Sequence, residues 1–370
     1  MRIAKISMGK PIHIKQISTA AEFEGLRINW NTLLENNYNN HVFLTWEFLF
    51  NWWKVYGATR QLFLITAWQG KQLIGIAPLM IENRKTFSLR HRVLCNLGVP
   101  DIDIGGFILQ PENEQAPLEI CSYIKKHEKL WDIIDLREFL FKSTEIISLK
   151  RIFNKTGFAI TESTGEHYFI SIQNDWEIYN KQLSRKFRYN LRRALRLAED
   201  IGAVTVKHYS GNQITWECFE TIIEINRHAH FPRLSQSPIQ QEFIRQLINQ
   251  KNEKRLLNIY ILSIGDRPVA YEYGFIYNGR FDDWRTGYDT DLPANISIGK
   301  LLAAQVIEAC FKNHLNEIDF LRGTESYKNE WRPNSRTYVN LRIFQTKKIN
   351  SILYFMWLSK IKPLIRRKEK

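Results

Sequence analysis

The sequence predicts a mixed α/β (α+β) protein built from two tandem copies of one unit, each a mixed, mostly antiparallel sheet flanked by helices. Three observations carry that expectation. The order strand, helices, hairpin, strand, loop, helix, strand is written twice along the chain. The hairpin turns at Gly70 and Gly265 lie 195 residues apart, and the strand motifs around Asp135 and Asp319 lie 184 apart, which is nearly one offset. A length of 370 residues with 44% hydrophobic and 13% aromatic content is ample for more than one core. The alternative, a single large α/β domain, would need an unusually big core.

Taken in order, "HIKQIS" reads as a strand, and 19–36 and "WEFLFNWWKVYG" read as helices. In the latter, Trp46, Leu49, Trp53 and Tyr56 recur at helical 3-4-3 spacing, a core stripe. "RQLFLITAWQGKQLIGIAPLMIENR" is a hairpin turning at Gln69-Gly70. A strand "RVLCNLG", a polar loop "GVPDIDIGG", a helix over 112–129 and a strand "WDIIDL" complete the first copy. The second copy opens with the strand "GAVTVKHYS" and helices over 216–228 and 239–250. A hairpin turning at Gly265-Asp266 follows, then a third strand "FDDWRTGYD", a helix over 298–312 and a buried strand "EIDFL". The expected limits are 1–170, a connecting basic helix over 171–202, 203–348, and a basic helical tail over 349–370.

The connecting helix is amphipathic. Leu183, Phe187, Leu191, Leu195 and Ala198 form an apolar stripe, and Arg185, Arg188, Arg192 and Arg196 line another face. Such a row suits an anionic donor, carrier protein or acceptor, or simply solvent. Nucleic acid is disfavoured, because no aromatics interleave the arginines for base stacking.

The chain carries 52 Lys+Arg against 38 Asp+Glu, a net +14. That surplus favours acidic partners of any kind: phosphorylated cofactors, an acidic carrier protein, nucleic acid or an anionic membrane. The four cysteines lie far apart with no CxxC pair, which argues against a zinc ribbon or disulfide scaffold and fits a reducing cytosol. Neither a signal-peptide core nor an apolar run of transmembrane length stands out, so a cytoplasmic protein is expected. The tail "SILYFMWLSKIKPLIRRKEK" reads as a packed helix, with peripheral membrane contact as the alternative.

Four stretches carry a resemblance: "FLTWEFLFNWWKVYG", "LSRKFRYNLRRALRLAEDIGA", "TGYDTDLPANISIGKLLAAQVIEAC" and "EIDFLRGTESYKNEW". In this order the chain resembles the GNAT acyltransferases, in particular the CelD/BcsL-like acetyltransferases, relatives of the tandem-GNAT Fem peptidyltransferases. The resemblance implies two GNAT-like units and transfer of an acyl group from acyl-CoA, or from an acidic acyl carrier protein, by a direct ternary complex. The acceptor would be an amine or hydroxyl of a sugar, polysaccharide precursor or peptide. It also leaves open a Fem-like aminoacyl transferase using aminoacyl-tRNA, although no long heptad stretch for a coiled-coil arm is present. One departure stands out. The pyrophosphate loop usually reads Arg/Gln-x-x-Gly-x-Gly/Ala, whereas "ANISIG" matches only at Gly299, with Ser297 in place of the first glycine.

The candidate residues follow. Ser297 is a plausible cap, and the amides of Ser297, Ile298, Gly299, Lys300 and Leu301 open a helix whose dipole suits phosphate; an ordinary capped helix is the alternative. Trp284, Arg285 and Thr286 lie on the strand that, in the family, pairs with the pantetheine arm and aims an N–H at the thioester carbonyl. Asp283 would be a base or would orient Arg285. On "VAYEYGF", period-2 alternation puts Glu272 on the face opposite Tyr271 and Tyr273. A glutamate in that setting has its pKa raised toward a useful base, so Glu272 is the first general-base candidate, a structural ion pair being the alternative. His230 is the backup base, and His228 an acceptor contact; no metal is expected at this pair. The resemblance places Tyr327 where a tyrosine protonates the departing thiolate, with Lys328 and Arg332 holding anionic groups. Asp101 and Asp103 would recognise the acceptor from a cleft between the units if these pack as in the Fem proteins, a plain turn being the alternative. No Ser–His–Asp or Cys–His constellation suggests a covalent intermediate.

Overall fold

The computed structural model describes residues 11–86, 89–250, 256–323 and 325–358. The chain divides into two compact units, 1–164 with 338–370, and 165–337. The N-terminal residues 1–10 and the basic end of the tail, 359–370, lie outside the described residues.

The first unit runs β1 (Ile12–Ile17), α1 (Ala20–Glu24), α2 (Arg27–Glu35), α3 (Trp46–Tyr56), β2 (Gln61–Leu62), β3 (Leu64–Gln69), β4 (Gln72–Ala77), β5 (Leu79–Thr86), β6 (Leu89–Asn96), β7 (Ile108–Leu109), α4 (Gln115–Lys126), β8 (Ile133–Leu140), α5 (Thr144–Phe153) and the start of β9 (Phe158–Ser171). Thr45 starts α3 by accepting a hydrogen bond from the Phe48 amide, and Glu47 and Lys54 complement the helix dipole. The fully buried indole on this helix is Trp52, not Trp53; its Nε1 donates to Asp101 at 2.9 Å. The β3–β4 hairpin turns where expected, with Gly70 at φ 65°.

The second unit continues with α6 (Trp176–Gln182), α7 (Arg185–Glu199), β10 (Val204–Ser210), α8 (Trp216–Arg227), α9 (Pro238–Ile248), β11 (Leu257–Ile264), β12 (Arg267–Tyr277), β13 (Arg280–Tyr288), α10 (Ile298–Lys312), β14 (Glu317–Arg322) and α11 (Ser326–Glu330). The chain then enters β15 (Asn334–Gln345) and α12 (Ile349–Met356). Its strands lie in the order β10-β11-β12-β13-β14-β9, all antiparallel except the parallel pair β13–β14. The first unit repeats this device: β6 and β8 are parallel, flanked by antiparallel neighbours.

Membership differs from the sequence-based limits in two ways. Helix α7 is no free-standing connector: Leu183, Phe187, Ala194 and Ala198 sit in one core with Leu302 and Val306 of α10. Leu191 and Leu195, from the expected stripe, pack against the edge of that core. The units also exchange strands. Residues 165–171 of β9 pair with β14 in the second unit, and residues 338–345 of β15 pair with β8 in the first. Nearest-neighbour reading of a sequence cannot see such pairing, because hydrogen bonds rather than chain order assign a strand to its sheet.

One helical run, 294–312, has 19 residues and mean hydropathy 1.2, so by length and composition it could cross a membrane. That is more apolar length than the sequence reading allowed. Seven of the residues in α10, including Leu302 and Val306, are buried in the second unit, which accounts for the composition.

Candidate functional site

The site begins where β13 and β14 separate. They pair at Arg280–Glu317, Phe281–Ile318 and Asp282–Asp319, and the ladder ends there. At the fork lie two buried carboxylates, Asp282 and Asp319. Arg280 holds Asp282 at 2.9 Å and Arg336 reaches Asp319 at 3.3 Å. Burial pushes the Asp282 carboxyl up to about 6, against the pull of Arg280 and Arg336.

Past the fork, a cavity of about 350 Å³ is walled by Asp283, Thr286 and Tyr288 of β13, Glu272 of β12, the 289–297 loop, the first turns of α10, and Tyr327 of α11. Asp283 and Thr286 are three apart and would face opposite ways on a regular strand. A register shift between Tyr273 and Phe275 sets two β13 residues, Asp283 and Trp284, against Gly274. Gly274 is required there, because the Asp282 carbonyl lies where a Cβ would stand.

Alternation on β12 holds as expected. Tyr273 faces Phe219 and Trp284, while Glu272 faces the cavity. Glu272 is 4% exposed, has no hydrogen-bond partner among the described residues, and sits in register between Tyr260 and Thr286. Burial, then the nearby charge of Asp283, raises its pKa well above the carboxylate range. The buried Tyr260 hydroxyl beside it also lacks a partner. Tyr327 is held neutral by burial and by the charges of Asp283, Glu272 and Glu325.

At the start of α10, Ser297 adopts the left-handed conformation (φ 51°, ψ 46°) and its side chain makes no capping hydrogen bond. The expectation of a serine cap is therefore corrected: the amides of Ile298 and Gly299 have no acceptor among the described residues and open onto the cavity. A side chain on Gly299 would meet the Tyr288 ring at 3.0 Å, so this glycine makes room for Tyr288. Gly299→Val should push Tyr288 into the cavity and weaken binding of a ligand there by about tenfold, near 1.4 kcal/mol, at nearly unchanged melting temperature. Ligand titration with thermal melts would check it. Lys300 lines the cavity but its ammonium pairs with Glu330.

Other expected residues lie elsewhere. Trp284 is buried among Phe243, Tyr273 and Phe275, and Arg285 stacks on it at 4.4 Å; neither lines the cavity. Leu301 is core. Lys328 is 3% exposed and donates to the carbonyls of Phe320 (3.0 Å), Arg322 (3.0 Å) and Gly323 (3.4 Å), so it pins the β14–α11 turn and has no ammonium face left for a substrate. Arg332 lines a different, polar cavity with Gln173, Asn174 and Asn334. His230 is exposed against Phe231 and off the cavity. His228 Nδ1 lies 2.9 Å from Asp291, clasping α8 to the loop before α10. Ligand atoms of His228, Asp289 and Asp291 lie within 4.8 Å of one another, but Arg267 already pairs with Asp289. Tyr288, Asp289 and Tyr260 were not anticipated; their register opposite or beside strand residues already chosen was the available signal.

The first unit has the same fork, with three pairs from Val93–Ile133 to Cys95–Asp135. Here it is closed. The Asn96 amide bonds both ways across it, Nδ2 to the Arg137 carbonyl and Oδ1 from the Arg137 amide, each at 3.0 Å. The Gly105 amide donates to the Glu138 carbonyl at 2.8 Å. Asp101 and Asp103, expected to contact an acceptor, are buried in the loop that makes this plug.

A sheet forked between parallel strands, the start of α10 and a buried carboxylate come together on one cavity of the second unit. Residues 185–329 match the family model described as an acetyltransferase (GNAT) domain. The match lies within the second unit and covers less than half of the chain. In fold the chain is similar to FemX, with TM-score 0.60 and 11% identity over 93% of this chain and 99% of that one. It is likewise similar to L-PGS from Bacillus licheniformis (0.54, 13%, 94% and 98%). A candidate lysylphosphatidylglycerol synthetase C-terminal domain from Agrobacterium fabrum is a third (0.52, 8%, 92% and 97%). The sequence matches none of the curated proteins.

Proposed function

We propose that the second unit transfers an acyl group from a thioester donor, acyl-CoA or an acyl carrier protein, directly to an amine or hydroxyl of a sugar, polysaccharide precursor or peptide. The observation that carries this reading is the fork itself, with Glu272, the Ile298 and Gly299 amides and Tyr327 gathered on one cavity. The free amides suit the donor's phosphates. The β13 edge past Asp282 offers backbone N–H groups to the pantetheine arm and to the thioester oxygen as it becomes an oxyanion.

The acceptor's nucleophilic atom bonds to the carbonyl carbon while its proton passes to the Glu272 carboxylate. The C–S bond then breaks and the electron pair leaves on sulfur. The Tyr327 hydroxyl, kept protonated by its surroundings, donates a hydrogen bond to that thiolate, which is protonated from solvent as it leaves, while Glu272 returns the acceptor's proton to solvent.

A second reading has one observation in its favour. Three carboxyl groups, Glu272, Asp283 and Asp289, line the cavity beside Lys300, with Asp289 paired to Arg267 and Lys300 to Glu330. That balance suits a cationic acyl group such as an aminoacyl ester carried by tRNA, and the named synthetase relative points the same way. Thermal-shift titration separates the two: stabilisation by CoA and acyl-CoA supports the thioester donor. Stabilisation only by aminoacyl-tRNA, weakening steeply with salt, would replace it.

A further inference from the structure

The unpaired positive charge of the second unit lies beside its cavity rather than in it. Lys300 is the one cation among the residues lining that cavity, and Glu330 pairs with it. Helix α7, by contrast, carries six cations from Arg185 to Arg196 before its first acid, Glu199. Arg185, Lys186, Arg192 and Arg193 are exposed, and Arg188 and Arg196 are half-buried. None of these six side chains has an ion-pair or hydrogen-bond partner among the described residues. The Arg188 Nε is even buried without one, a donor that an incoming anion would satisfy.

Packing fixes this helix next to the cavity. Phe187 and Ala194 share one core with Ile296 and Ile298, the residues on either side of Ser297, and the Lys300 ammonium lies 5.9 Å from the Phe187 ring. Arg185, Arg192 and Arg196 follow at 7-4 spacing over about 16 Å of helix, so they share the face opposite Ala194.

This placement of charge discriminates between the two thioester donors. CoA carries a diphosphate and a ribose phosphate on its arm. In the cavity the Ile298 and Gly299 amides are free to meet them, with no unpaired cation among the described residues. An acyl carrier protein has a single phosphodiester at the root of the same arm and presents its acidic residues outside the pocket, where α7 stands. Opposite charges across such a surface steer encounter and fix register. Nucleic acid is served less well. Tyr189 is 53% exposed on this face, where the sequence suggested no aromatic, but it is one ring where a stacking track needs several.

We propose that the arginine face of α7 docks the acidic surface of an acyl carrier protein, which delivers the donor in place of CoA. This rests on the thioester reading of the cavity. Calorimetric titration of the full chain with holo acyl carrier protein, and with CoA, tests it across a salt series. The carrier should bind about tenfold or more tighter than CoA and lose affinity as salt rises. Arg185→Glu with Arg192→Glu and Arg196→Glu should cut carrier binding by about tenfold or more, with melting temperature and CoA binding unchanged. Carrier binding no tighter than CoA binding, or surviving the triple substitution, would overturn the docking site and leave the thioester reading standing. Binding of neither carrier nor CoA would remove both. Aminoacyl-tRNA binding that the triple substitution abolishes, with no carrier binding by the wild type, would assign the face to RNA instead.

Discussion

Glu272→Gln should lower kcat/KM by roughly a hundred- to a thousandfold and abolish the rise of rate with pH, while leaving donor affinity nearly unchanged. A general base works only when ionised. Burial and the Asp283 charge raise this carboxyl's pKa, so the wild-type rate should climb as pH passes that raised value rather than through the ordinary glutamate range. The amide variant has nothing to titrate and its profile should be flat there. Stability supplies a second reading with an independent sign. A group whose folded pKa is raised stabilises the fold below its unfolded pKa, and that contribution is lost as pH rises through the folded value. Glu272→Gln should therefore gain stability relative to wild type as pH increases, because it no longer buries a charge. Urea unfolding at a series of pH values, beside rate profiles, would check both. A variant that stays active with an unchanged pH limb would move the base to Asp283 or to water.

Lys328→Ala should destabilise the protein by about 3 kcal/mol. Its ammonium is itself buried and satisfies three backbone carbonyls around the β14–α11 turn, and removing it leaves those acceptors without their donor. The ion pair with Glu325 at 3.0 Å adds little, since that carboxylate is mostly exposed. Tyr327 rides on the same turn, so kcat should fall with stability rather than KM rising alone. Lys328→Met should recover part of the loss, through packing of its stem, and no more. An unchanged unfolding midpoint with a raised KM would instead restore the substrate contact suggested by the sequence.

These two residues also mark what could be read from the chain alone. Glu272 was legible because strand alternation is local: two tyrosines on one face of "VAYEYGF" commit the glutamate to the other. The start of α10, the hairpin at Gly265 and the tandem order were legible for the same reason. Lys328 was misread because a lysine in a polar stretch looks like a surface cation, and only the path of the chain after β14 folds three carbonyls over it. Trp284 and Arg285 were lost from the cavity to the bulge opposite Gly274, a register change that periodicity cannot announce. Asp101 and Asp103 looked like a binding loop, whereas glycine at 105 lets that loop press onto β8 and close the first fork. The likeness between the copies was therefore visible, and the closing of the first fork was not.

The strand exchange has a consequence for how the protein is made. Val339, Leu341 and Ile343 of β15 belong to the core of the first unit, and Arg342 reaches Asp135 within it at 2.8 Å. During synthesis the first 164 residues leave the ribosome long before those three side chains exist. The earlier unit must then wait, with β8 unpaired on that side, until nearly all of its successor has emerged. Ribosome-bound chains ending at Thr337 should accordingly remain protease-sensitive within residues 1–164, and gain protection once translation has passed Gln345.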